Sequence, residues 1–256
     1  MESKRLKNKV IVITGGTKGV GRAFARAAAQ EGAIVVVGGR DQDAGAEVMK
    51  DIAAADSDGT FVPIDLNNID DIRKIFRIAY KFYGRVDGYF SYGAVTDVSP
   101  LDSCDEDTFD KIMDINFKAT FFGCQEAIKY MKKTVGGSIV LTGSAHAWGG
   151  QKDRAAYACS KGALRILMEH IAHNYAQDQI RCNYLTLGWT PTEGEIALRA
   201  SQGESEEELR ARAAGILPMG RMCEVTDYIE ALIYMFSDES RMMTGSTLRI
   251  TAGEYI

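Results

Sequence analysis

The sequence predicts an α/β fold, a doubly wound parallel sheet of about seven strands with helices on both faces. Three observations predict it. Apolar runs of four to six residues alternate with longer amphipathic stretches along the whole 256-residue chain, the order that βαβ units impose. Some runs, such as Ile34-Val35-Val36-Val37, are apolar at every position, as strands covered on both faces are. No repeat, linker or low-complexity block breaks the alternation, so residues 1–256 are expected to form a single domain.

The elements follow in order. A first strand is expected at 10–14 and a helix at 19–31, with Phe24, Ala27 and Ala28 on one face. A strand at 34–37, a helix at 43–55 and a short strand at 60–64 come next. Within 69–83, Ile72, Ile75, Phe76, Ala79 and Tyr80 form a stripe at helical spacing. A fourth strand is expected at 86–92. Residues 105–133 read as two helices or one bent one. Then come a fifth strand at 138–144, a helix at 156–176, a sixth strand at 180–187, a helix at 226–236 and a last strand at 247–250. Residues 188–220 carry Gly, Pro and a charge run at 204–212. They are too many for an ordinary connection and are expected to form a substrate loop or lid.

Composition narrows the function classes. With 30 Lys and Arg against 35 Asp and Glu, the net charge is −5, which disfavours nucleic acid or an anionic membrane as the main partner. No apolar run approaches the ~18 residues of a membrane span. The first apolar run, 10–13, is shorter than the ~7–15 residues of a signal-peptide core. A cytoplasmic location is therefore expected. Five scattered cysteines with no CxxC pair suit a reducing compartment. His170 and His173 lack a third ligand nearby in sequence, so no metal site is expected.

Between the first strand and its helix lies Thr14-Gly15-Gly16-Thr17-Lys18-Gly19-Val20-Gly21. Glycines here let the chain turn tightly and let a pyrophosphate approach the backbone. The helix start then offers free N–H groups and partial positive charge. No Gly-Lys-Ser/Thr ends the loop, so it is not a Walker loop.

A second signal is Tyr157-Ala-Cys-Ser-Lys161 at the start of a predicted helix. An i, i+4 pair shares one helix face, so phenol and ammonium can enter one cleft. A free Tyr titrates near ~10. A cation about 4 Å away is worth ~4 kcal/mol at an effective dielectric of ~20, or about three pKa units. Lys161 is thus expected to draw the phenol down towards the range suited to acid–base catalysis. Thirteen residues upstream, Ser144 ends the fifth strand, and ligands of open α/β sheets bind beyond strand carboxyl ends. Asn116 is a polar residue among Ile112, Met113, Ile115 and Phe117, where a specific partner is expected.

The loop spacing Thr-Gly-x-x-x-Gly-x-Gly resembles that of the short-chain dehydrogenase/reductase family. Asn116, Ser144, Tyr157 and Lys161 match its catalytic tetrad, in order and on the expected elements, across 9–253. The resemblance implies a Rossmann-like fold and a cofactor site of Gly15, Thr17, Lys18, Gly19, Val20, Gly21, Gly93, Tyr157, Lys161 and Gly188. It also implies that Asp65 bonds the adenine and Leu66 flanks it, that Lys161 holds the nicotinamide ribose, and that Thr190 and Thr192 lie by the carboxamide. Asn116 would hold a water in a proton path. Two stretches depart from the family pattern. Ser91-Tyr92-Gly93-Ala94 stands where Asn-Asn-Ala-Gly is usual, and Leu187-Gly188 stands in place of Pro-Gly, with Trp189 next.

NAD-selective sites carry a carboxylate at the end of the second strand. Here the stretch is Val37-Gly38-Gly39-Arg40. Arg40, with Lys18 nearby, suits a 2′-phosphate and favours NADP, while Asp41 keeps NAD open. The expected chemistry is hydride transfer between NAD(P) and a secondary alcohol or ketone, with Tyr157 as general acid and base. The alternatives are a catalytically silent nucleotide-binding protein of the same fold and a non-redox lyase or epimerase. A serine hydrolase is disfavoured because no Gly-x-Ser-x-Gly surrounds Ser144. Ser144, His146, Tyr157, Trp148, Trp189, Gln151 and Lys152 are expected at the substrate site. The family resemblance implies a homotetramer or homodimer.

Overall fold

A computed structural model describes residues 4–254. All seven strands are parallel: β1 (Val10–Thr14), β2 (Ile34–Gly39), β3 (Gly59–Pro63), β4 (Gly88–Ser91), β5 (Gly137–Ser144), β6 (Ile180–Leu187) and β7 (Thr247–Ile250). They lie in the order β3-β2-β1-β4-β5-β6-β7. The chain winds outwards from β1 in one direction and from β4 in the other, so a crevice opens between the loops that leave these two strands.

Helices α1 (Gly19–Gln30), α2 (Gln42–Ala54), α3 (Ile69–Tyr83), α4 (Glu106–Met113), α5 (Ala119–Met131) and α6 (Ala155–Asn174) connect the strands. The segment 188–220, expected as a loop, instead folds into α7 (Glu193–Ser201) and α8 (Glu206–Ile216), and α9 (Ile229–Phe236) precedes β7. Alternate residues of β1 feed two cores. Ile11 and Ile13 join Phe24, Phe90 and Phe236 on one face, while Val10 and Val12 join Ile72, Phe76 and Tyr89 on the other. The predicted stripe on α3 is the reason: Ile72, Ile75, Phe76 and Ala79 are fully buried. Asn68 caps the start of α3 through Asp70 N–H, and left-handed Gly84 ends it.

The boundaries differ from the sequence reading where tertiary contacts intervene. The fourth strand is shorter than 86–92, because the N–H groups of Tyr92 and Gly93 both donate to Thr14 O and end the ladder. The stretch 105–133 is two helices joined by a π-turn, Asp114–Lys118. The Thr120 hydroxyl donates to Asn116 O at 3.1 Å, a side chain inserted into the helical ladder of the kind that bends a helix. Among the described residues no helix is long and apolar enough to cross a membrane.

Candidate active site

The glycine loop is tied to the end of β2. Gly15 and Gly16 N–H both donate to Gly38 O, at 2.9 and 3.1 Å. Gly15 has φ +75°, and a Cβ there would lie 2.5 Å from Gly93 N, so glycine is required by both conformation and space. Lys18 precedes α1 without capping it. The first amides of the helix go elsewhere: Gly19 N–H donates to Glu193 Oε2 and Val20 N–H to Tyr92 Oη, both at 3.3 Å. The helix start therefore accepts oxygen ligands, as the loop chemistry demands.

Beyond it, Arg40 is exposed and forms no ion pair among the described residues. Lys18 lies 3.4 Å from Asp41. Asp41 also caps α2 through Ala44 N–H at 3.0 Å; this bond first, and Lys18 after it, holds the Asp41 carboxyl below its ordinary range. Asp65 Oδ1 accepts from Asn67 at 3.0 and 3.1 Å. Leu66 abuts Gly93, where a Cβ would lie 2.5 Å from Leu66 Cδ1. Thr17 is buried against Gly39, where a Cβ would come within 2.6 Å of its methyl group.

A cavity of about 870 Å³ opens beside this loop, beyond the ends of β4, β5 and β6 and beneath the lid helices. Ser144, His146, Tyr157, Lys161, Gly188, Trp189, Thr190, Thr192 and Val20 all line it. Gly15, Thr17, Lys18, Gly19, Gly21, Arg40, Asp65, Leu66 and Gly93 do not. Thr192 caps α7 through Glu195 N–H. The Thr190 hydroxyl donates to Gly188 O at 2.9 Å and meets Tyr228 Oη at 2.6 Å. Gly188 packs on Thr251, where a Cβ would lie 2.6 Å from the Thr251 Cα.

Tyr157 and Lys161 face the same cavity, as their spacing predicts. Lys161 Nζ sits 5.7 Å from the Tyr157 ring centroid and donates to Thr142 O at 3.0 Å. The electrostatics correct the expectation that Lys161 lowers the phenol. Tyr157 is surrounded by protein while keeping part of its surface open to the cavity, and this burial raises its pKa above the ordinary value. Hydrogen bonding with Ser144 and the charge of Arg154 oppose that rise without cancelling it. Lys161, only 2% exposed, is itself pushed down to about 8 by burial. Desolvation disfavours both charged forms and outweighs a pair attraction that the sequence argument took at surface-like dielectric.

Two further expectations are corrected. Asn116 is buried, but its side chain does not reach the cavity. It clamps the loop after β4, accepting from Val95 N–H at 2.8 Å and donating to Val95 O at 2.9 Å and to Ser160 Oγ at 3.2 Å. Val95 lines the cavity, so Asn116 is a positioning residue. Trp148 turns away from the cavity: Arg249 lies 4.2 Å above its ring and Tyr184 packs on its edge. Gln151 does line it.

His146 packs edge-on against Tyr157 at 5.5 Å. Burial, and then Arg154, lowers its pKa, which favours the neutral ring. Trp189 is held by the lid: its Nε1 donates to Glu195 Oε1 at 2.8 Å, with Arg212 over the ring at 4.7 Å. Three residues missed by the sequence reading complete the site. Arg154 lines the cavity beside Tyr157, Tyr92 covers the glycine loop, and Glu193 reaches it from α7. Arg154 carries no signal in the local period: it precedes α6 in a non-helical conformation, and only the fold brings it into the cavity wall.

A family model described as enoyl-(acyl carrier protein) reductase matches residues 15–254. The chain is 31% identical to the 7alpha-hydroxysteroid dehydrogenase of Clostridium sardiniense over 253 residues, 98% of this chain and 94% of that protein. It is 30% identical to the NADP-dependent (R)-specific alcohol dehydrogenase of Lentilactobacillus kefiri, covering 97% of each. The crystal structure of a short-chain type dehydrogenase/reductase from Mycobacterium marinum superposes with a TM-score of 0.90 at 27% identity, covering 99% of this chain and 98% of that one. Likeness that runs from the glycine loop through the last strand, in sequence as in fold, shows that the chain belongs to the short-chain dehydrogenase/reductase family.

Proposed function

We propose that the protein is an NAD(P)-dependent oxidoreductase interconverting a secondary alcohol and a ketone, with Tyr157 as general acid and base. One observation carries the reading: phenol, Ser144 hydroxyl and Lys161 ammonium converge on one cavity next to a helix start whose amides accept oxygen ligands. The names of the relatives, a hydroxysteroid dehydrogenase and an alcohol dehydrogenase, support action on a CH–OH group. When bound, the nicotinamide gives or takes the hydride.

The residues present fit that cofactor. The amides of Gly19 and Val20 would receive its phosphates, and Lys161 would hold its ribose. Arg40, which forms no ion pair among the described residues, and Lys18 suit a 2′-phosphate, which favours NADP. In ketone reduction Tyr157 O–H donates its proton to the forming alkoxide; in oxidation its phenolate removes the alcohol proton. Ser144 hydrogen-bonds the substrate oxygen and turns it towards Tyr157. The walls of the cavity hold the reacting groups together and keep bulk water out.

Initial rates on a panel of secondary alcohols and ketones test the proposal. Tyr157→Phe is expected to lose about 10²- to 10⁴-fold in turnover, the usual worth of a positioned acid–base group. Cofactor binding, followed by nicotinamide fluorescence, should stay near wild type. A Tyr157→Phe enzyme at wild-type rate overturns the role of Tyr157. Arg40→Ala should weaken NADPH by about tenfold or more, the scale of a lost charged hydrogen bond, and NADH far less. Equal NADPH affinity in the variant removes the phosphate pocket.

A further inference from the structure

Arg154 is a cation in the cavity wall that the proton chemistry does not use. It immediately precedes α6, is 8% exposed, and lines the cavity three residues before Tyr157. Among the described residues its guanidinium donates no hydrogen bond, and Nη1 is buried without a hydrogen-bond partner. Its ion-pair neighbour is Asp153, 3.6 Å away, with about half of the aspartate side chain in solvent. The backbone keeps the arginine in place. Ser99 N–H donates to Asp153 O and Ala155 N–H to Ser99 O, both at 2.8 Å.

Other charges in this wall are matched more closely. Arg199 meets Glu195 at 2.8 Å, Arg212 meets Glu204 at 2.6 Å, and Lys111 meets Asp97 at 2.6 Å. Burial raises the pKa of the Glu254 carboxyl and so favours its neutral form. A buried guanidinium nitrogen with no hydrogen-bond partner, and a carboxylate no nearer than 3.6 Å, is costly unless an anion joins it. A planar guanidinium matches a carboxylate with two parallel hydrogen bonds.

We propose that Arg154 binds a carboxylate on the substrate, so that the preferred substrates are secondary alcohols and ketones carrying an acid group. This rests on Tyr157 acting at the carbonyl, because Arg154 then stands in the wall of the same cavity and orients the substrate across it. Arg154 is thus a specificity-determining residue, recognising the far end of the molecule while Ser144 and Tyr157 handle the oxygen.

The test compares 4-oxopentanoate, 5-oxohexanoate and 6-oxoheptanoate with their methyl esters, using NADPH and NADH. The readout is the acid-to-ester ratio of kcat/KM. Removing Arg154 also removes a charge that lowers the Tyr157 pKa, but that effect slows both members of a pair and cancels in the ratio. For at least one chain length the wild-type ratio should exceed that of Arg154→Gln by about 10- to 100-fold, the range of a charged hydrogen bond. Arg154→Lys should keep part of it. Equal ratios in wild type and Arg154→Gln overturn the proposal.

Should the variants fail to fold, inhibition of wild type decides: pentanoate should compete at least tenfold better than pentanamide, and equal inhibition overturns the carboxylate site. The two readings fail separately. Esters reduced in a Tyr157-dependent way with no gain for the acids leave the catalytic reading standing and remove the anion site. Calorimetric binding of pentanoate that Arg154→Gln abolishes, with no ketone reduced at all, does the reverse.

Discussion

At the residue scale, burial acts on Tyr157 and Lys161 in opposite senses. The phenol holds its proton beyond the ordinary tyrosine pKa, and the ammonium loses its proton more readily, near pH 8. At neutral pH the phenol is in the form that ketone reduction requires, whereas alcohol oxidation requires the phenolate. The sign of the pH dependence follows. Oxidation kcat/KM should rise as pH increases from neutral into the alkaline range. Reduction should hold through the alkaline range up to the ordinary tyrosine pKa, because the raised phenol keeps the proton to be donated, and decline only beyond it. Initial rates in both directions between pH 6 and 10 check this, and an oxidation rate that falls over that range contradicts the assignment. A bound cation, including an oxidised nicotinamide ring, favours the phenolate and moves the midpoint down without changing its sign.

At the element scale, the lid is joined to the glycine loop by one carboxylate. Glu193 opens α7 and accepts from Gly19 N–H, the first amide of α1. It is an exposed side chain in the field of a helix start, where a negative charge is worth about 0.3–1 kcal/mol. A cofactor phosphate would seek the same amides. Glu193→Gln should therefore tighten cofactor binding by about two- to fivefold at low salt, with less effect at high salt. Fluorescence titration checks it; unchanged or weaker affinity means the carboxylate does not compete. Asn116 shows the element scale differently. The π-turn around it was legible in the sequence only as a stretch that is either two helices or one bent one, because local periodicity does not encode which backbone group a buried amide will find.

For the whole molecule, the site depends on a sheet clamped from both sides. Phe24 on α1 meets Phe90 of β4 edge-on at 5.5 Å and stacks on Phe236 of α9 at 5.2 Å, fully buried. It joins the glycine-loop helix to the strand that leads into Tyr92. Phe24→Ala should cost about 3–5 kcal/mol of stability, read from urea denaturation; a loss under about 1 kcal/mol means that the core refills the space.

From the residues alone came the seven strands, the helices outside 188–220, the glycine loop and the shared face of Tyr157 and Lys161. Strands and helices are written in a local period, two or 3.6, the loop in the spacing of its glycines, and an i, i+4 spacing survives almost any packing. The packing of distant segments is what made Trp148 face Arg249, Asn116 hold Val95, Glu193 reach an amide 174 residues earlier, and Arg154 stand in the cavity wall with a buried nitrogen lacking a hydrogen-bond partner. It also reversed the expected pKa shift of Tyr157. The physical reason is common to all of these. Partners and desolvation depend on atoms brought from distant parts of the chain, and no local period records them.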